Sequence, residues 1–244
     1  MKKICSLVVL ALFLTTGSLV GQKQLYFGAQ GTGMSTWILN QNNYGRPDMD
    51  YVATFGGAGN VNIGFDFNQN FGLFLQVGYA KLGQKFRDVI DDTTYTRNVK
   101  LDYLQVPLLF KYRTSADVAR FYIMAGPQFD FLLSANQIYY KDDVSYEEQF
   151  ENPLSGEMVK IGEEDITDRY TSYDIFARLD LGVDITIIKN LFISTGLSFA
   201  YGLTDINAED WRMDNSSGEY NPSHNIAIGF NVGINYCLDF SKSK

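Results

Sequence analysis

The chain has 244 residues, 45% apolar and 15% aromatic, with 22 glycines, one histidine and two cysteines. Its formal net charge of −8 argues against a nucleic-acid partner, because phosphate binding needs a basic face. So small a stock of cysteine and histidine excludes a disulfide framework and a Cys/His metal cluster.

Residues 1–22 read as a secretory signal: Lys2 and Lys3, an apolar run from Ile4 to Leu14, then a small and polar stretch from Gly17 to Gln22. The run is too short to cross a bilayer as a helix. Cys5 precedes it and is not placed as the lipidated cysteine of a lipoprotein. The mature domain is then 23–244, where 18 basic residues face 28 acidic ones for a net charge of −10. No later stretch reaches about 18 consecutive apolar residues, so this chain could span a membrane only with strands closed into a barrel.

Period-two alternation recurs along the mature domain. It is weak over 24–34 and clear over 55–67, where Val61, Ile63 and Phe65 oppose Asn60, Asn62 and Asp66. Over 71–82, Leu73, Leu75 and Val77 oppose Gly72, Gln76 and Gly78; over 98–112, Leu104, Val106, Leu108 and Phe110 oppose Gln105 and Lys111. The segment 119–133 sets Ile123, Phe129 and Phe131 against Met124, Gln128 and Asp130. In 174–187, Leu179, Leu181 and Val183 oppose Arg178, Asp180 and Asp184, and 191–202 and 225–240 complete eight segments. Each reaches the about 9–11 residues that a tilted membrane strand needs. Connections alternate between long (35–54, 84–97, 134–173, 203–224) and short (68–70, 113–118, 188–190). This is the pattern of an all-β, eight-stranded antiparallel up-and-down transmembrane barrel in the outer membrane, with both termini periplasmic. The second face is rich in Gly, Ala, Ser, Asn and Gln, where a soluble barrel would show Lys and Glu to water. The apolar face is therefore assigned to lipid.

An eight-stranded barrel has an interior that side chains fill, so a diffusion pore is not expected. The inward set includes Asp66, Lys111, Asp130, Arg178, Asp180 and Asp184. Charges in that space must be paired or wet, so Lys111 and Arg178 should meet some of the four carboxylates and form a polar plug. His224 is the one ordinary general base, at the start of the last strand beside Ser223. A lipid-modifying barrel enzyme would need a serine and a carboxylate beside it, and no nucleophile motif surrounds Ser216, Ser217 or Ser223. No catalytic residue, cofactor or metal site is expected.

Between Lys141 and Asp168 stand ten acids and two lysines. This stretch reads as a solvated loop, with a protein partner or a divalent cation as the alternative; Glu163, Glu164 and Asp165 lack the spacing of a calcium loop. Outer-membrane lipid and lipopolysaccharide are the expected surroundings of a monomer. Pro107 interrupts an otherwise regular strand, and a closed barrel offers no free edge for it. It should point inward and cost one ladder bond or sit at a bulge.

Four stretches, "FGLFLQVGYAKLGQKF" (71–86), "LDYLQVPLLFKY" (101–112), "FYIMAGPQFDFLLSA" (121–135) and "LFISTGLSFAYGLTDI" (191–206), resemble in order the blocks of the PorT-like outer-membrane β-barrel family of Bacteroidetes. The most specific elements are Tyr103, Leu104 and Pro107, and Tyr201, Gly202 and Leu203. The resemblance implies an eight-stranded outer-membrane barrel without catalytic residues, some relatives serving the type IX secretion system. The expected function is a non-enzymatic structural or interaction role through the loops or the periplasmic rim, against an accessory role in secretion or envelope assembly.

Overall fold

In the computed structural model the described residues are 24–40, 50–116, 118–145, 148–151, 158–212, 214 and 218–239. The segment assigned to a signal peptide lies outside them. Eight long strands form the body: β1 (Gln24–Leu39), β2 (Thr54–Asp66), β3 (Phe71–Ile90), β4 (Thr93–Arg113), β5 (Ala119–Lys141), β6 (Tyr173–Ile188), β7 (Leu191–Gly202) and β8 (His224–Asp239). Each pairs antiparallel with its chain neighbours, and β8 pairs back onto β1 from Gln24↔Asp239 to Leu39↔His224. The sheet is therefore a closed ring, which leaves none of the eight with a free edge.

Alternation decides the faces as the sequence implies. Val61, Leu75, Leu108, Ile123, Leu181, Leu197 and Val232 are exposed outward, whereas Asn60, Gln76, Lys111, Met124, Asp180, Ser198 and Asn231 are buried within. On β3 the outward apolar run is Phe71 to Tyr79 and on β4 Leu104 to Tyr112, each spanning the length a tilted strand needs to cross lipid. Aromatic pairs such as Phe71–Tyr112 and Phe27–Tyr236 gird the short-turn end, and Tyr79, Tyr173 and Tyr201 stand toward the other.

The connection expected at 84–97 is not a loop. β3 and β4 continue as a two-stranded ribbon from Lys81↔Asp102 to Ile90↔Thr93, turning at Asp91 and Asp92 with φ of 48° and 62°. Two successive left-handed residues make the tight turn whose twist matches the flanking strands. β5 likewise runs on to Lys141 and turns at Asp142–Asp143. The short strand Asp50–Val52 pads the β3 side of the ribbon.

Pro107 is buried and points inward, and it carries no bulge. Pairing of β3 with β4 stops at Leu75↔Leu108 and resumes in the same register at Gly78↔Gln105. The two missing pairs, Gln76 with Pro107 and Val77 with Val106, are those that would use an N–H at position 107. Pro127 does the same between β4 and β5, where pairing skips from Pro107↔Gln128 to Phe110↔Ala125. The one register shift in β4 lies instead at Asp102/Tyr103, opposite β5.

Candidate functional site: the filled lumen and its cap

The lumen is built in three tiers. At the short-turn end Lys111 Nζ lies 2.7 Å from Asp184 Oδ2, inside four aromatic rings whose centroids are 4.8 Å (Tyr122), 5.3 Å (Tyr26), 5.8 Å (Phe74) and 5.8 Å (Phe192) away. Arg113 pairs with Asp66 and reaches Asp184 at 3.8 Å. A hydrogen-bond chain then crosses the barrel: Asn62 donates to Asn235 at 2.7 Å, Asn235 to Ser194 at 3.0 Å, and Ser194 to Asp184 at 2.6 Å. These links join β2, β8, β7 and β6, and Lys111 ties them to β4.

The middle tier is made of amides and one bidentate pair. Arg178 holds Asp180 through Nε and Nη2, both at 2.9 Å, and donates to Gln128 at 3.0 Å. Gln128 donates to Asp130 at 2.9 Å, Gln105 to Asn60 at 2.6 Å and Gln76 to Gln30 at 3.1 Å. All six charged residues expected in the lumen are buried there. Lys111 and Arg178 each take one carboxylate, Asp66 takes Arg113, and Asp130 takes an amide. Arg113 shares the inward parity of Lys111 but falls in the turn expected at 113–118, because the alternation in the sequence ends at Tyr112.

The third tier corrects the expectation of an entirely polar plug. Toward the long connections an apolar cluster of Ile38, Leu82, Phe86, Leu101, Tyr103 and Phe176 meets Ile166, Tyr170 and Ile206 from the loops, alongside buried Asp174 and Asn225, which are bonded to each other at 3.0 Å. The loops are tied down: Ile166 N–H donates to Ala135 at 2.9 Å, Thr171 N–H to Ile206 at 2.9 Å, and Ala208 N–H to Arg169 at 3.0 Å. Asp205 gathers Tyr220 at 2.5 Å, the Ser223 N–H at 3.0 Å and Arg212 at 3.0 Å.

The acidic stretch contributes to this cap. Glu164 pairs with Arg169 and accepts from Gln137 at 2.7 Å; Asp165 accepts the Thr167 N–H at 2.9 Å, and bonding to Thr167 holds its carboxyl below the usual carboxylate range. Glu147 and Glu157 lie outside the described residues. His224 Nδ1 is 3.0 Å from the Thr204 carbonyl, and its ring stacks on Tyr201 at 5.7 Å. Ser223 beside it is fully buried, its hydroxyl accepting from Asn207 at 2.9 Å.

The remaining motif residues are structural in their contacts. Tyr103 fills the apolar tier and accepts from Asn225 at 3.2 Å; Leu104 faces outward. A Cβ on Gly202 would lie 3.0 Å from the Asp174 carboxylate, and the Leu203 N–H donates to Ile175 at 2.7 Å.

A closed antiparallel ring with an apolar band outside and a filled lumen inside defines a transmembrane β-barrel. The chain belongs to the outer membrane protein beta-barrel domain family, whose model matches residues 22–208. It is an outer-membrane barrel protein. No curated protein matches the sequence. Among solved structures it is similar to Neisserial surface protein A (10% identity, 87% of this chain and 96% of that one, TM-score 0.43). It is also similar to a major outer membrane protein of Thermus thermophilus (13%, 88% and 99%, 0.45) and to the outer membrane protein OprG of Pseudomonas aeruginosa (9%, 90% and 97%, 0.39).

Proposed function

We propose that this is a non-enzymatic, monomeric barrel of the PorT-like group of Bacteroidetes, with both termini periplasmic and the long connections outside the cell, acting through its folded cap. The observation that carries this reading is the position of order in the molecule. Ile166, Tyr170 and Ile206 descend into the barrel mouth, so the described part of the cap is anchored on a filled lumen. An anchored surface suits contact with a macromolecule, because little ordering entropy is lost on binding. The His224 ring faces a backbone carbonyl and a tyrosine rather than a hydroxyl nucleophile, which supports a positional role. An accessory role in type IX secretion is the second reading, favoured by the resemblance at Tyr103–Pro107 and Tyr201–Leu203.

A deletion strain separates the two. Intact cargo secretion with altered surface properties is expected, and loss of secreted cargo would transfer the assignment to secretion. Orientation is tested by labelling a cysteine placed at Asp210 in intact cells, where impermeant reagent should reach it. A His224→Ala variant that abolished a lipid modification present in the parent strain would overturn the non-enzymatic assignment.

A further inference from the structure

Along the β3–β4 ribbon, directly past the apolar band, three lysines stand on the outward face. Lys81 pairs in register with Asp102, Gly83 with Lys100 and Lys85 with Asn98, so Lys100 is the diagonal neighbour of both other lysines. Inward partners of the same ribbon, Leu82 with Leu101 and Gln84 with Val99, are buried, and the three lysines are exposed. Diagonal neighbours on one face stand roughly 7–8 Å apart, within reach of a single phosphate for long side chains.

Their height is set by the strands. Taking about 3.3 Å per residue and a tilt of about 45°, Lys81 lies ~5 Å beyond Tyr79 along the membrane normal, Lys100 ~9 Å beyond Leu104, and Lys85 ~14 Å beyond Tyr79. The first two therefore sit at headgroup level and the third one step above.

The acid next to them is already engaged. Asp102 accepts the Tyr79 hydroxyl at 2.6 Å and the Ser134 hydroxyl at 3.1 Å, one on each oxygen. Lys81 Nζ lies 5.9 Å from the Tyr79 ring centroid. Arg87, further along, is opposite Asp50 and is left out of the row. Among the described residues none of the three lysines forms an ion pair, in a protein whose net charge is negative. Two lysines at headgroup level and a third one step above, against the single carboxylate of Asp102, leave an excess of positive charge that complements an anionic lipid surface.

We infer that Lys81, Lys85 and Lys100 form a docking row for the phosphate groups of a phosphorylated glycolipid in the leaflet on the long-loop side. Which leaflet that is rests on the orientation proposed above; the binding itself does not.

The test measures retention of bis-phosphorylated lipid A by the full-length barrel in detergent, by native mass spectrometry on dilution, against lipid A stripped of its phosphates. Wild-type protein should prefer the phosphorylated form. Lys81→Gln, Lys85→Gln and Lys100→Gln together should remove the preference, with about a fivefold loss of affinity for each lysine. Lys189→Gln, exposed at the opposite short turn, should leave it intact. Heat-modifiable migration verifies folding; if the triple variant fails that check, Lys100→Gln alone carries the measurement. Equal retention of both lipids by wild type, undiminished preference in the variant, or displacement by millimolar inorganic phosphate would overturn the inference. Because the measurement is made in micelles, a result showing the long loops inside the cell would sink the orientation and leave the docking row standing.

Discussion

Lys111 shows how a charge is kept inside an eight-stranded barrel. Its ammonium has one carboxylate at 2.7 Å and four ring faces, which replace the hydration shell with a fixed negative field. Removing one partner of a buried pair strands the other. Lys111→Met should therefore destabilise the barrel by about 3–5 kcal/mol, with Asp184 left to Ser194 and a distant Arg113. The double variant Lys111→Met, Asp184→Asn should recover most of that loss. Urea unfolding in lipid vesicles measures both; a double variant no more stable than the single one would refute the pairing argument. Pro107 is a residue of the opposite kind, whose cost is a bond not made. Pro107→Val supplies the N–H facing Gln76 without adding bulk, and the same assay should show a gain of about 0.5–1.5 kcal/mol. Gly126 tolerates no such change: a Cβ there would stand 2.2 Å from the Leu108 carbonyl oxygen, so Gly126→Val should prevent folding, read as loss of heat-modifiable migration.

At the scale of elements, the two Asp-Asp turns look alike and differ in what their side chains do. Asp91 and Asp92 close the β3–β4 ribbon with positive φ, a conformation that asparagine and glycine adopt more readily, so Asn-Gly in their place should stabilise the ribbon by up to about 1 kcal/mol. Asp142 instead accepts the Thr94 N–H at 2.9 Å, binding the end of β5 to β4, and Asp142→Gly should be neutral or harmful. Hydrogen exchange on the ribbon amides distinguishes the two outcomes. These turns also explain which elements could be seen in the sequence. Strands within the lipid band were legible because one face must be apolar, so Leu104, Val106, Leu108 and Phe110 alternate cleanly. The ribbon beyond Tyr79 and Leu104 leaves the hydrocarbon, and its outer face carries Lys81, Lys85 and Lys100 where the apolar signal would be. Lumenal Asn, Gln and Asp positions were legible by parity alone. The cap was not, because Ile166, Tyr170 and Ile206 are single apolar residues in polar surroundings, with no period to reveal that they converge.

For the whole molecule, the three tiers make closure redundant. The apolar cluster under the cap occupies the mouth, the amide and Arg178–Asp180 layer fills the middle, and the ion pairs of Lys111 and Arg113 fill the short-turn end. The tiers share strands, β4 and β6 supplying side chains to all three, but they rest on different interactions at different heights, so losing one need not open the others. Tyr170→Ala with Ile206→Ala removes two anchors of the cap, leaving the lower tiers untouched. The cap should then loosen, seen as faster proteolysis within 142–172 and 203–223, while planar bilayers containing the variant stay silent like those with wild type. Large-to-small changes of this size typically cost about 2–5 kcal/mol at a buried site, enough to release loops held by a few backbone bonds without unpairing a closed ring. A steady ion current in the cap variant alone would mean that the cap is the gate and that the polar tiers conduct. Silence with accelerated loop cleavage would mean that the barrel is a sealed pedestal and that its activity resides on the surface it holds up.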